Sequence, residues 1–148
     1  MTDLALVGGR VLDPGQGTDG ESGVFVTGGR LTAPGDAVGA SGAGVGGVIG
    51  AAGAAETIDA TGLVLTPGLV DLHTHLYQGV SHYGIDPDEN CLRRGVTTAV
   101  DAGSAGAQTF PGFRRYVIEP ARTHIFAFLH IAVQEMITSI INELEDLR

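Results

Sequence analysis

Two histidines one residue apart, His73 and His75, are the side chains in this sequence best placed to do chemistry. They close the run Pro67-Gly68-Leu69-Val70-Asp71-Leu72-His73-Thr74-His75. In an extended strand, residues i and i+2 point to the same face, so both imidazoles project side by side from one backbone. Neutral imidazoles suit a borderline divalent cation such as Zn²⁺, which takes histidine nitrogen at about 2.0–2.1 Å. Two ligands do not complete a site, because catalytic zinc also needs a third protein ligand and an open position. His-x-His is common, and the spacing alone fits two histidines exposed on a sheet edge better than a metal site.

Further candidates lie downstream. Tyr83 and His82 fall in a loop after the histidine run, where substrate contacts or plain surface exposure are both in order. Asp101 ends a β-branched run and either orients a ligand or forms a turn beside Gly103. His130, near the end of a later apolar run, either faces the site or is a partly buried, hydrogen-bonded histidine. His124 follows Arg122-Thr123 and is expected to be exposed. Cys91 reads as a small buried hydrophobe, since Asn90, Leu92 and Arg93 offer no base to activate it.

The elements that must position these groups can be read from periodicity and turn chemistry. Leu4–Val7 and Arg10–Leu12 flank Gly8-Gly9, and Val24–Val26 and Arg30–Thr32 flank Gly28-Gly29. Gly-Gly between β-rich runs predicts hairpins in both places, with Asp13-Pro14-Gly15 as a turn, giving a small antiparallel β unit. Residues 33–55 are Gly, Ala, Val and Ser with no period, a composition that predicts a flexible insertion. It contains no phosphate-loop motif. Leu63–Thr66 and Gly68–Leu72 are near-continuous apolar runs, as in strands buried on both faces.

Asp86 is placed to cap a helix running to Arg94, with Pro87 in its first turn and Gly95 closing it. Val96–Val100 is a strand, Phe113–Ile118 begins a helix, and Ile125–Ala132 is a third strand. From residue 63 the rhythm is β-α-β-α-β, which implies parallel strands. The histidine pair therefore ends the strand that opens a βαβ series, and in (β/α)₈ barrels such C-terminal strand ends carry the catalytic groups. Residues 133–148 read as either an amphipathic helix or a loop.

Composition narrows the class. Glycine accounts for 24 of 148 residues and is densest in the 33–55 stretch. Eight basic against seventeen acidic side chains give a net charge of −9, which repels nucleic-acid phosphates and anionic lipid. The start, Met1-Thr2-Asp3-Leu4, has neither a basic region nor a long apolar stretch. With a single cysteine, this predicts a soluble, cytoplasmic protein without membrane or nucleic-acid partners.

Taken together, these motifs resemble the amidohydrolase superfamily, which includes dihydroorotases, acyl-amino-acid deacylases and related deacetylases. The resemblance runs from Leu4-x-x-x-Gly8-Gly9-Arg10-Val11-x-Asp13-Pro14 through Ile58-Asp59-Ala60-Thr61-Gly62 and Thr66–His75 to Gly95-Val96-Thr97-Thr98-Ala99-Val100-Asp101. Dihydroorotase-like members carry Arg two residues after the second histidine; here that position is Tyr77. His75-Leu76-Tyr77, Gly84-Ile85-Asp86-Pro87 and Asp101-Ala102-Gly103-Ser104 look more like the deacetylase subgroup.

The resemblance implies an α/β fold, a partial (β/α)₈ TIM-type barrel of about three βα units after a small N-terminal β-sandwich portion. Residues 1–62 would be the β portion and 63–148 the first part of the barrel. It implies one or two Zn²⁺ ions or other divalent metals, with His73 and His75 as ligands; from their positions, Tyr83, Asp101 and His130 are the candidates for the substrate side. The reaction would be metal-assisted hydrolysis of a small acylated or amide substrate, with the pKa of water lowered by zinc towards about 7.

The family's carboxylated lysine, two further histidines and strand-8 aspartate are the point of departure. The sequence has no lysine at all, and a full barrel needs about 250 residues. The expectation is a truncated chain, at most a metal-binding module, poorly stable and hydrolytically inactive by itself. Its unpaired strand edges would favour self-association, and homo-oligomerisation stays open.

Overall fold

Residues 3–32 and 54–131 are described by the structure, a computed structural model. The chain forms two compact units, Met1–Pro67 and Gly68–Arg148. The glycine-rich stretch, apart from its last two residues, lies outside the described residues, as does the segment 133–148, expected to be an amphipathic helix or a loop.

In the first unit, strand β1 (Leu4–Asp13) pairs antiparallel with β2 (Thr18–Thr27), which pairs antiparallel with β3 (Arg30–Thr32). The Asp13 turn forms as its residues predict, with Asp13 Oδ1 accepting from the Gly15 N–H at 2.9 Å. Gly28-Gly29 makes the second hairpin, joining Thr27 to Arg30. Gly8-Gly9 does not make a hairpin. The pairing steps from Leu6↔Val24 to Gly9↔Ser22, so two residues of β1 face one of β2 in a β-bulge within one continuous strand. Gly8 adopts φ 76°, and a Cβ there would lie 2.5 Å from Thr61 Oγ1.

The unit is also not purely antiparallel. Strands β4 (Glu56–Asp59) and β5 (Val64–Leu65) run parallel to β1. Ala5 and Phe25 are the buried centre of this sheet, with Val7 and Ala54 packed against them.

The second unit carries the candidate site residues. Strands β6 (Leu69–Thr74), β7 (Val96–Asp101) and β8 (His124–Ala127) form a parallel sheet in that order. Between β6 and β7, helix α1 (Pro87–Asn90) is capped by Asp86, whose Oδ1 accepts from the Glu89 N–H at 2.8 Å. A 3-10 turn at Leu92–Arg94 continues it, and Gly95 ends it. Between β7 and β8, α2 (Phe110–Phe113) passes into a π turn at Arg114–Ile118. Leu76, Cys91, Ala99, Phe113 and Ile125 are buried together, so these helical segments cover one face of the sheet. Cys91 is buried as expected, and burial pushes its thiol up, away from thiolate character.

The expectation of double-sided burial fails for β6. Among the described residues it pairs only with β7, and Leu69, Val70 and Leu72 are all exposed, Leu72 by 71%. An apolar run fits a buried strand, but it does not say how many neighbours that strand has.

A carboxylate fastens the start of β8 to α1. Asp88 accepts from the Arg122 N–H at 3.0 Å, the Thr123 N–H at 2.8 Å and the Thr123 hydroxyl at 2.9 Å. Burial pulls the Asp88 carboxyl up, but the donors from Arg122 and Thr123 outweigh it and hold the group below its ordinary value. Such a depressed carboxyl contributes stability above the unfolded-state value of about 3.9, and that contribution is lost as pH falls through the lower folded-state value.

Two outcomes follow for urea denaturation. Asp88→Ala should destabilise the second unit by on the order of 1 kcal/mol at pH 7, after discounting for exposure, and the difference from the wild type should shrink below about pH 4. Gly8→Ala should destabilise the first unit by about 1–2 kcal/mol, from the left-handed backbone and displacement of Thr61. An unchanged midpoint in either variant counts against the corresponding assignment.

Candidate functional site

The site forms where β6 runs out. The β6–β7 pairing steps from Asp71↔Ala99 to Thr74↔Asp101, which places a bulge at Leu72-His73. Asp71 Oδ1 accepts from the His73 N–H at 3.0 Å and supports the irregular backbone. Bulges of this kind re-aim side chains beside functional sites. The strand ends at Thr74, so His75 is the first residue beyond it. The rings of His73 and His75 lie 5.6 Å apart between centroids, nearly edge-on at 79°. The pair is brought together, by a bulge and a strand end in place of the regular alternation expected from spacing.

The loop after His75 folds back on it. The Ile85 N–H donates to the His75 carbonyl at 2.9 Å, closing residues 76–84 into a compact excursion. Tyr83 is thereby set beside His75, with ring centroids 6.0 Å apart, and His82 meets Tyr83 edge-on at 4.8 Å. Tyr83 is half exposed, its ring available to solvent next to the histidine pair.

Asp101, at the end of β7, is fully buried. Its Oδ2 accepts from the Leu76 N–H at 2.7 Å, and its Oδ1 accepts from Gly103 at 3.0 Å and Ser104 at 2.6 Å. The turn expected beside Gly103 is present, and the same carboxylate reaches across to the residue after His75. Ser104, also fully buried, places its Oγ 3.1 Å from His75 Nδ1. Ser104 was not a candidate on sequence. The signal was available in Asp101-x-Gly103-Ser104, because an Asp that accepts from amides two and three residues on fixes the orientation of that third residue.

His130 follows β8. Its N–H donates to the Ala105 carbonyl at 2.9 Å, and its ring occupies the space beside Gly103. It therefore sits against the same turn. His124 lies at the opposite end of β8, exposed and stacked on Phe126 at 5.0 Å, apart from the group.

The donor set is two imidazoles on adjoining backbone, one with its Nδ1 facing a hydroxyl. That chemistry fits part of a zinc-type site. Among the described residues, no group of three or more His, Cys, Asp or Glu gathers to hold a cation. No helix among them is long and apolar enough to cross a membrane.

Comparison with known proteins bears on most of the described segment. Residues 56–128, which include all of these groups except His130, match the family model described as the amidohydrolase family. A deacetylase of Agrobacterium fabrum is 49% identical over 89 residues, 60% of this chain and 22% of that protein. A dihydroorotase of Geobacter metallireducens is 45% identical over 107 residues, 72% of this chain and 20% of that protein. The crystal structure of a dihydroorotase superposes with a TM-score of 0.71 at 33% identity, covering 90% of this chain and 32% of the other. The chain thus spans about a fifth of the length of these curated relatives. A parallel sheet with a histidine pair at one strand end thus lies inside a segment that is similar, in both sequence and fold, to members of the amidohydrolase superfamily.

Proposed function

We propose that this chain contributes the first metal-binding strand of a hydrolase acting on amide or ester bonds, of the deacetylase type. The observation that carries the reading is the approach of the His73 and His75 rings at the end of β6, within the family-matched segment. The high identity to a deacetylase and the Tyr77 that follows His75 by two residues support the subgroup. In this reading the three-stranded sheet is the opening of a (β/α)₈-type barrel and the mixed sheet is part of a small β-sandwich. The substrate is a small acylated or amide molecule, and the setting is cytoplasmic.

His73 and His75 would hold Zn²⁺ or a similar divalent ion, which supplies Lewis acidity towards a carbonyl and towards water. Tyr83, half exposed beside His75, offers a ring and a hydroxyl to a bound substrate. Asp101, expected with His130 on the substrate side, holds the turn at Gly103, and His130 packs on that turn.

A second reading, metal binding without turnover, draws on one observation. The described residues bring no third His, Cys, Asp or Glu to the pair, whereas catalytic zinc needs more ligands.

The test is zinc titration of the full chain by competition with a chromophoric chelator, followed by assay on N-acetylated amino acids and acyl esters. His73→Ala and His75→Ala should each weaken zinc binding by about tenfold or more. Zinc-dependent turnover abolished by His73→Ala decides for the hydrolase, and binding without turnover decides for the second reading. Zinc affinity indifferent to both substitutions would remove the metal site altogether.

A further inference from the structure

One carboxylate holds His75 from two directions. Asp101 Oδ2 accepts from the amide of Leu76, the residue next to His75, and Oδ1 accepts from the amide of Ser104, whose hydroxyl meets the His75 ring. The backbone from which the ring hangs and the hydroxyl that the ring touches are therefore fixed to the same buried group. Withdrawing the Leu76 amide would leave the buried Oδ2 bare, and Oδ1 is held by both Gly103 and Ser104, so the arrangement resists rotation as a whole.

The turn between Asp101 and Ser104 is constrained in turn. Gly103 has φ 97°, and a Cβ there would lie 3.4 Å from the His130 ring, so the β8 loop packs directly over it. The Ala102 N–H donates to the Thr74 carbonyl at 2.8 Å, and the Thr74 hydroxyl donates to the Val100 carbonyl at 3.1 Å. His75 thus has neighbours fixed on both sides.

We propose that Asp101 and Ser104 are positioning residues for His75: the ring donates its Nδ1–H to Ser104 Oγ, which leaves Nε2 as the nitrogen open to a ligand. A neutral imidazole otherwise distributes its proton between two nitrogens and turns about its side-chain bonds. A partner on Nδ1 selects one tautomer and one orientation, the usual task of a group behind a ligating histidine. The consequence for metal affinity rests on the metal-site reading above, whereas the tautomer is a property of the chain by itself.

The experiment uses the full chain labelled with ¹⁵N at histidine, held at one pH near neutrality without metal. Long-range ¹H–¹⁵N spectra report which ring nitrogen of each histidine bears the proton. The wild type is expected to show His75 protonated on Nδ1. Ser104→Ala should move the His75 proton towards Nε2, Ser104→Thr should restore the wild-type pattern, and Asp101→Asn should act in the same direction as Ser104→Ala. His124, remote from the clamp, serves as the control for an intact fold. In chelator competition, Ser104→Ala should weaken zinc binding by about tenfold, with Ser104→Thr close to wild type. Identical His75 nitrogen shifts in the wild type and Ser104→Ala, or an Nε2-protonated ring in the wild type, overturn the proposal. If zinc does not bind at His73 and His75, the metal-site reading falls, yet a Ser104-dependent tautomer still upholds the clamp.

Discussion

The Asp101 carboxylate organises the second unit because a buried acceptor must find donors or lose the hydration it left behind. It finds three amides, and they come from two different segments: the stretch leaving β6 and the turn leaving β7. Both segments stop being strand at that point and must go somewhere defined. The carboxylate supplies the definition. The loop after His75, the turn at Gly103 and the packing of His130 on that turn all follow from where those amides are held.

Asp88 does comparable work elsewhere in the same unit, where it collects the amides of Arg122 and Thr123 at the entrance to β8. A sheet of three parallel strands has little hydrogen bonding of its own beyond the central strand. Here carboxylates on the connecting segments take up amides that the ladder does not reach. The apolar core between the sheet and the helical segments supplies the burial, centred on Leu76, Ala99, Phe113 and Ile125. The carboxylates supply the register of the chain ends.

Much of this was legible in the residues. The βαβ rhythm, the Asp86 cap, the Gly95 stop and the turn at Asp13 are local signals, and all are present, although the strand expected over Ile125–Ala132 spans only His124–Ala127 and the helix expected from Phe113 starts at Phe110. The histidine pair was legible for the same reason. What escaped the sequence was non-local. Gly8-Gly9 resembles a hairpin until its partner strand is known, because a bulge and a tight turn call for the same positive φ. The apolar run at Leu69–Leu72 resembles a doubly covered strand until its neighbours are counted. The turn that orients Ser104 is a local signal, but its meeting with His75, 29 residues away, is not.

That distance along the chain has a consequence for biosynthesis. Leu76 and Asp101 are 25 residues apart, and Asp88 and Thr123 are 35 apart, so neither fastening belongs to a helix or hairpin that folds as soon as it emerges. A nascent chain that has exposed only the histidines holds them on a free strand with no β7 beside it. The ring of His75 acquires its surroundings after β7 has left the ribosome, and β8 must follow before His130 can close over the turn. The residues first to be synthesised at the site are thus set in place only after later ones have emerged.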